Sequence, residues 1–127
     1  MKSVLLVFDD QKELEFIEAN LIENGFQIFI CDNLKSAVVL AENTQPDLIV
    51  VNTLDSGIAV QLFCSNIKSA RLNNVSFLAL IESADSFNKS STEHFIVKPI
   101  RPKLLLSLIR EAMNQKDLSW YPACISF

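Results

Sequence analysis

The sequence predicts an α/β fold, a parallel sheet of five strands sandwiched between helices, and three observations carry that reading. Three short apolar runs, Val4 to Phe8, Leu48 to Val51 and Phe77 to Ile81, are continuous rather than alternating, as expected of strands covered on both faces. The segments between them place apolar residues at helical spacing. The two patterns alternate five times along the chain, and such an order implies parallel strands joined by right-handed crossovers.

The elements follow in order. After Val4 to Phe8, the segment Gln11 to Glu23 is predicted as a helix with Leu14, Ile17, Leu21 and Ile22 on one face, Asp10 as its cap and Gly25 as its stop. Phe26 to Ile30 follows the turn residues Asn24-Gly25 as a second strand. Asn33 can cap a second helix carrying Ala37, Val38, Leu40 and Ala41, and Leu48 to Val51 is the third strand. Ser56 or Gly57 opens a third helix through Ile58, Leu62, Phe63 and Ile67, ahead of the fourth strand, Phe77 to Ile81. Glu82 to Thr92 is rich in Ser, with Ala84 and Phe87 as its apolar residues, so a fourth helix there is expected to be short or irregular. Phe95 to Val97 is the fifth strand. Beyond Pro99 and Pro102, Leu104, Leu105, Leu108, Ile109, Ala112 and Met113 make an amphipathic fifth helix, with the prolines where a missing N–H costs little.

At 127 residues, half of them hydrophobic, the chain reads as one domain over residues 1–115 followed by an apolar tail, 116–127, with Trp120, Tyr121, Ile125 and Phe127 around Pro122. Eleven basic residues, scattered rather than clustered, against fifteen acidic ones give a net charge of −4, which excludes a nucleic-acid footprint. Cys31, Cys64 and Cys124 form neither a CxxC pair nor a cluster with His, which argues against a disulfide framework or a zinc site and fits a reducing cytoplasm. The five-residue run Val4 to Phe8 is too short for a signal peptide or a membrane span. With Gly25 and Gly57 the only glycines, no Gly-rich phosphate loop can form, and no Ser-His-Asp or Cys-His set suggests an enzyme.

In a doubly wound sheet, chemistry gathers outside the carboxyl ends of the strands. The residues brought there are Asp9 and Asp10 after the first strand, Asn52 after the third, Ile81 after the fourth and Lys98 after the fifth.

The blocks VLLVFDD, PDLIVVN and FIVKP, in this order and at this spacing, resemble the signatures of the receiver (CheY-like) domains of response regulators, over about residues 3 to 115. That resemblance implies a flavodoxin-like sandwich with strand order 2-1-3-4-5. It also implies a carboxylate nucleophile at the end of the third strand, held with an acidic pair around magnesium. Here Asn52 stands at that place, and an amide cannot form an acyl phosphate. Ile81 stands where the family carries a Ser or Thr that binds the phosphoryl group. The chain therefore resembles a degenerate pseudo-receiver, in which Asp9, Asp10 and Lys98 remain and Asp9 and Asp10 could hold magnesium only weakly. Asp55, a displaced acceptor candidate, is out of register with the strand end, and Lys98-Pro99 resembles a bond that is usually cis in the family. The spacings from Asn52 to Gly57 and from Ile81 to Lys98 are shorter than the family's usual ones.

The resemblance assigns signalling to the face built by the fourth helix, fifth strand and fifth helix, where Phe95 matches a switch aromatic. Beside Ile81, Phe95 is expected either to hold one rotamer or to be an ordinary aromatic of an edge strand. Leu104, Leu105 and Leu106 cannot all face one core, so Ile100, Leu106 and Phe95 are candidates for an interaction patch, and His94 is given no role. The resulting expectation is a phosphorylation-independent signalling module in a two-component phosphorelay setting. It would bind a protein partner or form a homodimer through that face or the tail, with no nucleic acid, membrane or required cofactor. The alternative is a sensor of a small ligand or cation in the old acidic pocket.

Overall fold

Strand and helix alternate as β1 (Ser3–Phe8), α1 (Gln11–Glu23), β2 (Gln27–Cys31), α2 (Leu34–Thr44), β3 (Leu48–Asn52), α3 (Gly57–Ser69), β4 (Ser76–Ile81), β5 (Glu93–Val97) and α4 (Pro102–Asn114). The structure, a computed structural model, describes residues 2–69, 75–81, 93–98 and 100–114. The short fourth helix expected over Glu82 to Thr92, the Lys98-Pro99 bond, Cys124 and the apolar tail lie outside the described residues, so the expected fifth helix is α4 here. All strand pairs are parallel and the sheet order is β2-β1-β3-β4-β5.

The sheet divides two cores, because successive strand residues face opposite sides. Val4, Leu6 and Phe8 of β1 join Leu48, Val50, Leu78 and Leu80 beneath α1 and α4. Leu5 and Val7 join Ile49, Val51, Phe77 and Ala79 beneath α2 and α3. Phe63 of α3 meets Phe77 edge to face, with centroids 6.2 Å apart and planes at 87°. Each such fully buried side chain contributes roughly 1.5–3 kcal/mol. β1 and β3 are buried along their whole length, which accounts for their unbroken apolarity, whereas the edge strand β2 is only partly covered.

Local chemistry fixes the element ends. The Asp10 carboxylate accepts from the Glu13 amide at 3.1 Å, and Asn33 Oδ1 accepts from the Ser36 amide at 2.8 Å. α1 ends at Gly25, whose φ of 84° only glycine adopts without strain, and α2 ends at Gln45, held at φ 48°. Ser56 Oγ accepts from Ala59 N at 3.1 Å at the head of α3. At the opposite edge from the candidate site, Asp47 stitches neighbouring strands: its carboxylate accepts from Ser3 N at 2.8 Å and its carbonyl from Ser76 N at 3.2 Å. Lys2 Nζ donates to the Met113 carbonyl, tying the start of β1 to the last turn of α4.

Several expected core positions are corrected. Ile22 of α1 and Ile58 and Leu62 of α3 are exposed, because the true inward stripe of α3 is Val60, Phe63, Cys64 and Ile67. On α4 the outward leucine is Leu104, at 43% exposure. Leu106, expected on the interaction patch, is buried at 9%. Its place in the α1–α4 core removes it from any docking face. No helix among the described residues is long and apolar enough to cross a membrane.

Candidate functional site

The parallel register brings the strand ends level. Phe8 pairs with Asn52 and Asn52 with Leu80, so the residues just beyond β1, those ending β3 and β4, and the residue after β5 share one edge of the sheet. They border a cavity of about 630 Å³ lined by Asp9, Asp10, Gln11, Glu13, Asn52, Leu54, Leu80, Lys98 and Ile100. Four of the positions singled out in the sequence therefore converge: Asp9, Asp10, Asn52 and Lys98. Ile81 ends β4 opposite Val97 in register, and its neighbour Leu80 lines the cavity.

Each polar group at this edge has a defined partner. Asn52, 5% exposed, donates from Nδ2 to Glu13 Oε1 at 2.8 Å. Asp9 Oδ2 accepts from Leu54 N at 2.7 Å, and the Asp9 amide reaches the Asn52 carbonyl at 3.4 Å. Lys98 Nζ donates to the Thr53 carbonyl at 2.8 Å, which clamps the end of β5 onto the loop after β3. Asp55 is exposed and its amide reaches Thr53 Oγ1 at 3.4 Å, so it stays within the loop.

Glu13 is the residue that motif matching overlooks. The spacing Asp10-x-x-Glu13 is that of a capping box, in which the second side chain ordinarily returns to the amide of the cap. Here Asp10 plays its half of the box, while the Glu13 carboxylate is diverted to the amide of Asn52. A capping-box reading of the sequence would have found Glu13 at the mouth of the site. Leu54 and Leu80 carry no such signal, because apolar residues beside a strand end look like core.

The donor set bears on magnesium. A hard divalent cation needs several anionic or carbonyl oxygens around one point. One oxygen of Asp9 and one of Asp10 are engaged by backbone amides, Asn52 contributes no charge, and among the described residues no three acidic, His or Cys groups converge to hold a metal. The residues present do not fit the family's three-carboxylate arrangement, and no chemical step is derived through the ion.

A second hollow of about 640 Å³ continues alongside, between the first turns of α1 and α4, with Phe16, Ile100 and Pro102 as its apolar lining and Lys12, Arg101 and Lys103 at its rim. Ile100 is thus partly exposed between the two hollows. Phe95 pairs with Ala79 in the sheet register.

A five-stranded parallel sheet in this order, with an acidic pair and a lysine around one cavity at the carboxyl ends of its strands, is the architecture of a response-regulator receiver domain, here with an amide at the end of β3. The chain belongs to the VpsR domain family, whose model matches residues 1–100. It is similar in sequence to the transcriptional regulatory protein AfsQ1 of Streptomyces coelicolor, 24% identical over 92% of this chain and 53% of that protein. The chain thus spans about half the length of that relative. In structure it is similar to HP1043, an orphan response regulator of H. pylori, with a TM-score of 0.71, 24% identity and coverage of 88% of this chain and 96% of that one. It is also similar to the signal receiver domain of a signal transduction histidine kinase from Syntrophus aciditrophicus, with a TM-score of 0.69, 25% identity and coverage of 90% and 91%.

Proposed function

We propose that this chain is a pseudo-receiver, a signalling module of two-component type that acts by protein–protein interaction and does not accept a phosphoryl group. The observation that carries this reading is Asn52: the residue at the end of β3 is a neutral amide, and it is hydrogen-bonded to Glu13 at 2.8 Å. An amide has no anionic oxygen of its own with which to attack a phosphodonor, and its nitrogen is already donating to the Glu13 carboxylate. Ile81 at the end of β4 supplies no hydroxyl to hold a phosphoryl oxygen. Asp9, Asp10 and Lys98 then serve structure, by holding the Leu54 amide, the first turn of α1 and the Thr53 carbonyl. Magnesium bound by Asp9 and Asp10 alone would be weakly held. In this reading the partner-binding face includes Phe95 and Ile100, without Leu106.

The test is incubation of the chain with a small-molecule phosphodonor and magnesium, read by intact mass and by two-dimensional amide NMR. No mass gain and unchanged spectra are expected. A covalent gain of one phosphoryl group overturns the proposal and directs attention to Asp9, Asp10 or Asp55.

The open cavity favours a second reading, that of a small-ligand or cation sensor using the acidic pocket. A ligand that binds only the native state must raise thermal stability, so a concentration-dependent rise in Tm with a metabolite or cation supports that reading.

A further inference from the structure

We propose that the hollow between the first turns of α1 and α4 is a binding site for a small amphipathic organic anion, whose apolar body lies on Phe16, Ile100 and Pro102 and whose charged head meets Lys12, Arg101 and Lys103. The site is separate from the acidic cavity and does not depend on whether Asn52 accepts a phosphoryl group.

Its floor is apolar and its border basic. Phe16 and Ile100 are half-buried and pack against the α1–α4 core, and Pro102 opens α4 beside them. Lys12, Arg101 and Lys103 line this hollow and not the neighbouring cavity. Among the described residues no hydrogen bond or ion pair engages their side chains. The carboxylates in the lining, Asp10 and Glu13, belong to both hollows and mark the boundary between them. One oxygen of Asp10 accepts from the Glu13 amide, and one of Glu13 accepts from Asn52.

Helix formation does not account for the cations. A helix favours negative charge in its first turn, where unpaired amides make the positive end of its dipole. Lys12 stands in the first turn of α1, Lys103 in that of α4, and Arg101 directly precedes α4, so all three occupy helix starts that disfavour them. α4 has no acidic residue in its first turn to offset them. On a chain of net charge −4, two positive helix ends and three cations around one apolar hollow concentrate positive potential, and the complement of such a hollow is an anion.

Size and lining narrow the class. On α1 the hollow runs from Lys12 to Phe16, about one turn or roughly 6 Å of rise, whereas a docked helix needs anchors over two or more turns. The volume of about 640 Å³ falls in the usual range for small-ligand pockets, about 300–1,000 Å³. A simple inorganic anion leaves Phe16 and Ile100 in water, and a neutral apolar molecule leaves the cations without a counter-charge, so the ligand that uses both halves is amphipathic.

Titration of the full chain with octanoate up to about 5 mM, followed by two-dimensional amide NMR, is the deciding measurement. Saturable shifts are expected at Lys12 to Phe16 and at Ile100, Arg101 and Lys103, with a Kd on the order of 0.1–1 mM that weakens as salt rises. Acetate, which lacks the apolar body, and octylammonium, which reverses the charge, should leave those amides in place at equal concentration. Arg101→Glu and Lys103→Glu should each weaken octanoate binding by about threefold or more, with Tm at or above that of the parent, because both put negative charge at a helix start. The absence of saturable shifts at these residues overturns the proposal, as do equal shifts with octylammonium or unchanged affinity in both variants. Shifts with an acidic helical peptide and none with octanoate would give the hollow to a protein partner and overturn it as well. The phosphodonor test reads covalent chemistry at the acidic cavity and not this hollow, so the two proposals fail separately.

Discussion

The amide of Asn52 donates to the carboxylate of Glu13 across 2.8 Å, joining the end of β3 to the first turn of α1. The pairing depends on residue 52 being an amide, the donor of the pair. A carboxylate at the same place would set two anions side by side in a buried corner.

Asn52→Asp, the change that restores a family-like nucleophile, is therefore expected to destabilise the fold by about 1–3 kcal/mol through loss of the donor and like-charge repulsion. Adding Glu13→Gln should recover most of that loss, because the new amide can donate to the new carboxylate. Denaturant titration of the two variants beside the parent measures the coupling. Equal stability of the single and double variants would show that Glu13 does not feel the charge at position 52.

Leu106 and Leu104 stand two residues apart on α4 with opposite surroundings, 9% against 43% exposed. Leu106→Ala should cost about 2–4 kcal/mol and Leu104→Ala less than about 1 kcal/mol, since only the former opens a cavity in the α1–α4 core. Chemical unfolding of both variants separates them, and a reversed order would place Leu106 on the surface.

The two left-handed positions among the described residues offer a backbone test. Gly25 has φ 84° with nothing within 4 Å of an added Cβ, so Gly25→Ala meets conformational strain alone, about 1–2 kcal/mol. Gln45, at φ 48°, bears such strain already, and Gln45→Gly should stabilise by about 0.5–1 kcal/mol. Thermal melts of the two variants should move in opposite directions.

Burial pushes the Cys31 thiol above its ordinary value of 9.0, with Asp32 adding to the shift and the hydrogen bond at Asn33 opposing it. A raised folded value favours the protonated form in the native state. The associated stability is fully present below about 9.0 and is lost as the pH rises through the higher folded value. Thiol labelling should be slower at Cys31 than at an unstructured cysteine at pH 8, and stability should decline on the alkaline side in the parent more than in Cys31→Ser.

The fold was legible where burial leaves a pattern. β1 and β3 read as continuous apolar runs because both of their faces are covered, and Asp10, Gly25 and Asn33 marked helix ends because their chemistry is local. Helix faces were legible less well. α3 has apolar residues around most of its circumference, so sequence spacing selected Ile58 and Leu62 while the core took Val60 and Cys64. Leu104, Leu105 and Leu106 posed the same ambiguity, which packing against α1 resolves. At the site, Asp9, Asp10, Asn52 and Lys98 could be named from strand ends alone, whereas Glu13 is signalled by its capping-box spacing from Asp10 and its pairing with Asn52, 39 residues away, shows only in the fold.

Both cores run up to the carboxyl ends of the strands, where Phe8 and Leu80 on one side and Val7, Val51 and Ala79 on the other close the packing. What lies beyond them is held by hydrogen bonds at the rim rather than by packing. A nucleophile can be exchanged for an amide at such a rim, and a hydroxyl for an aliphatic chain, without asking the interior to rearrange. The architecture thereby separates shape from chemistry, so that the kind of side chain at the rim can differ while the two cores keep the same body.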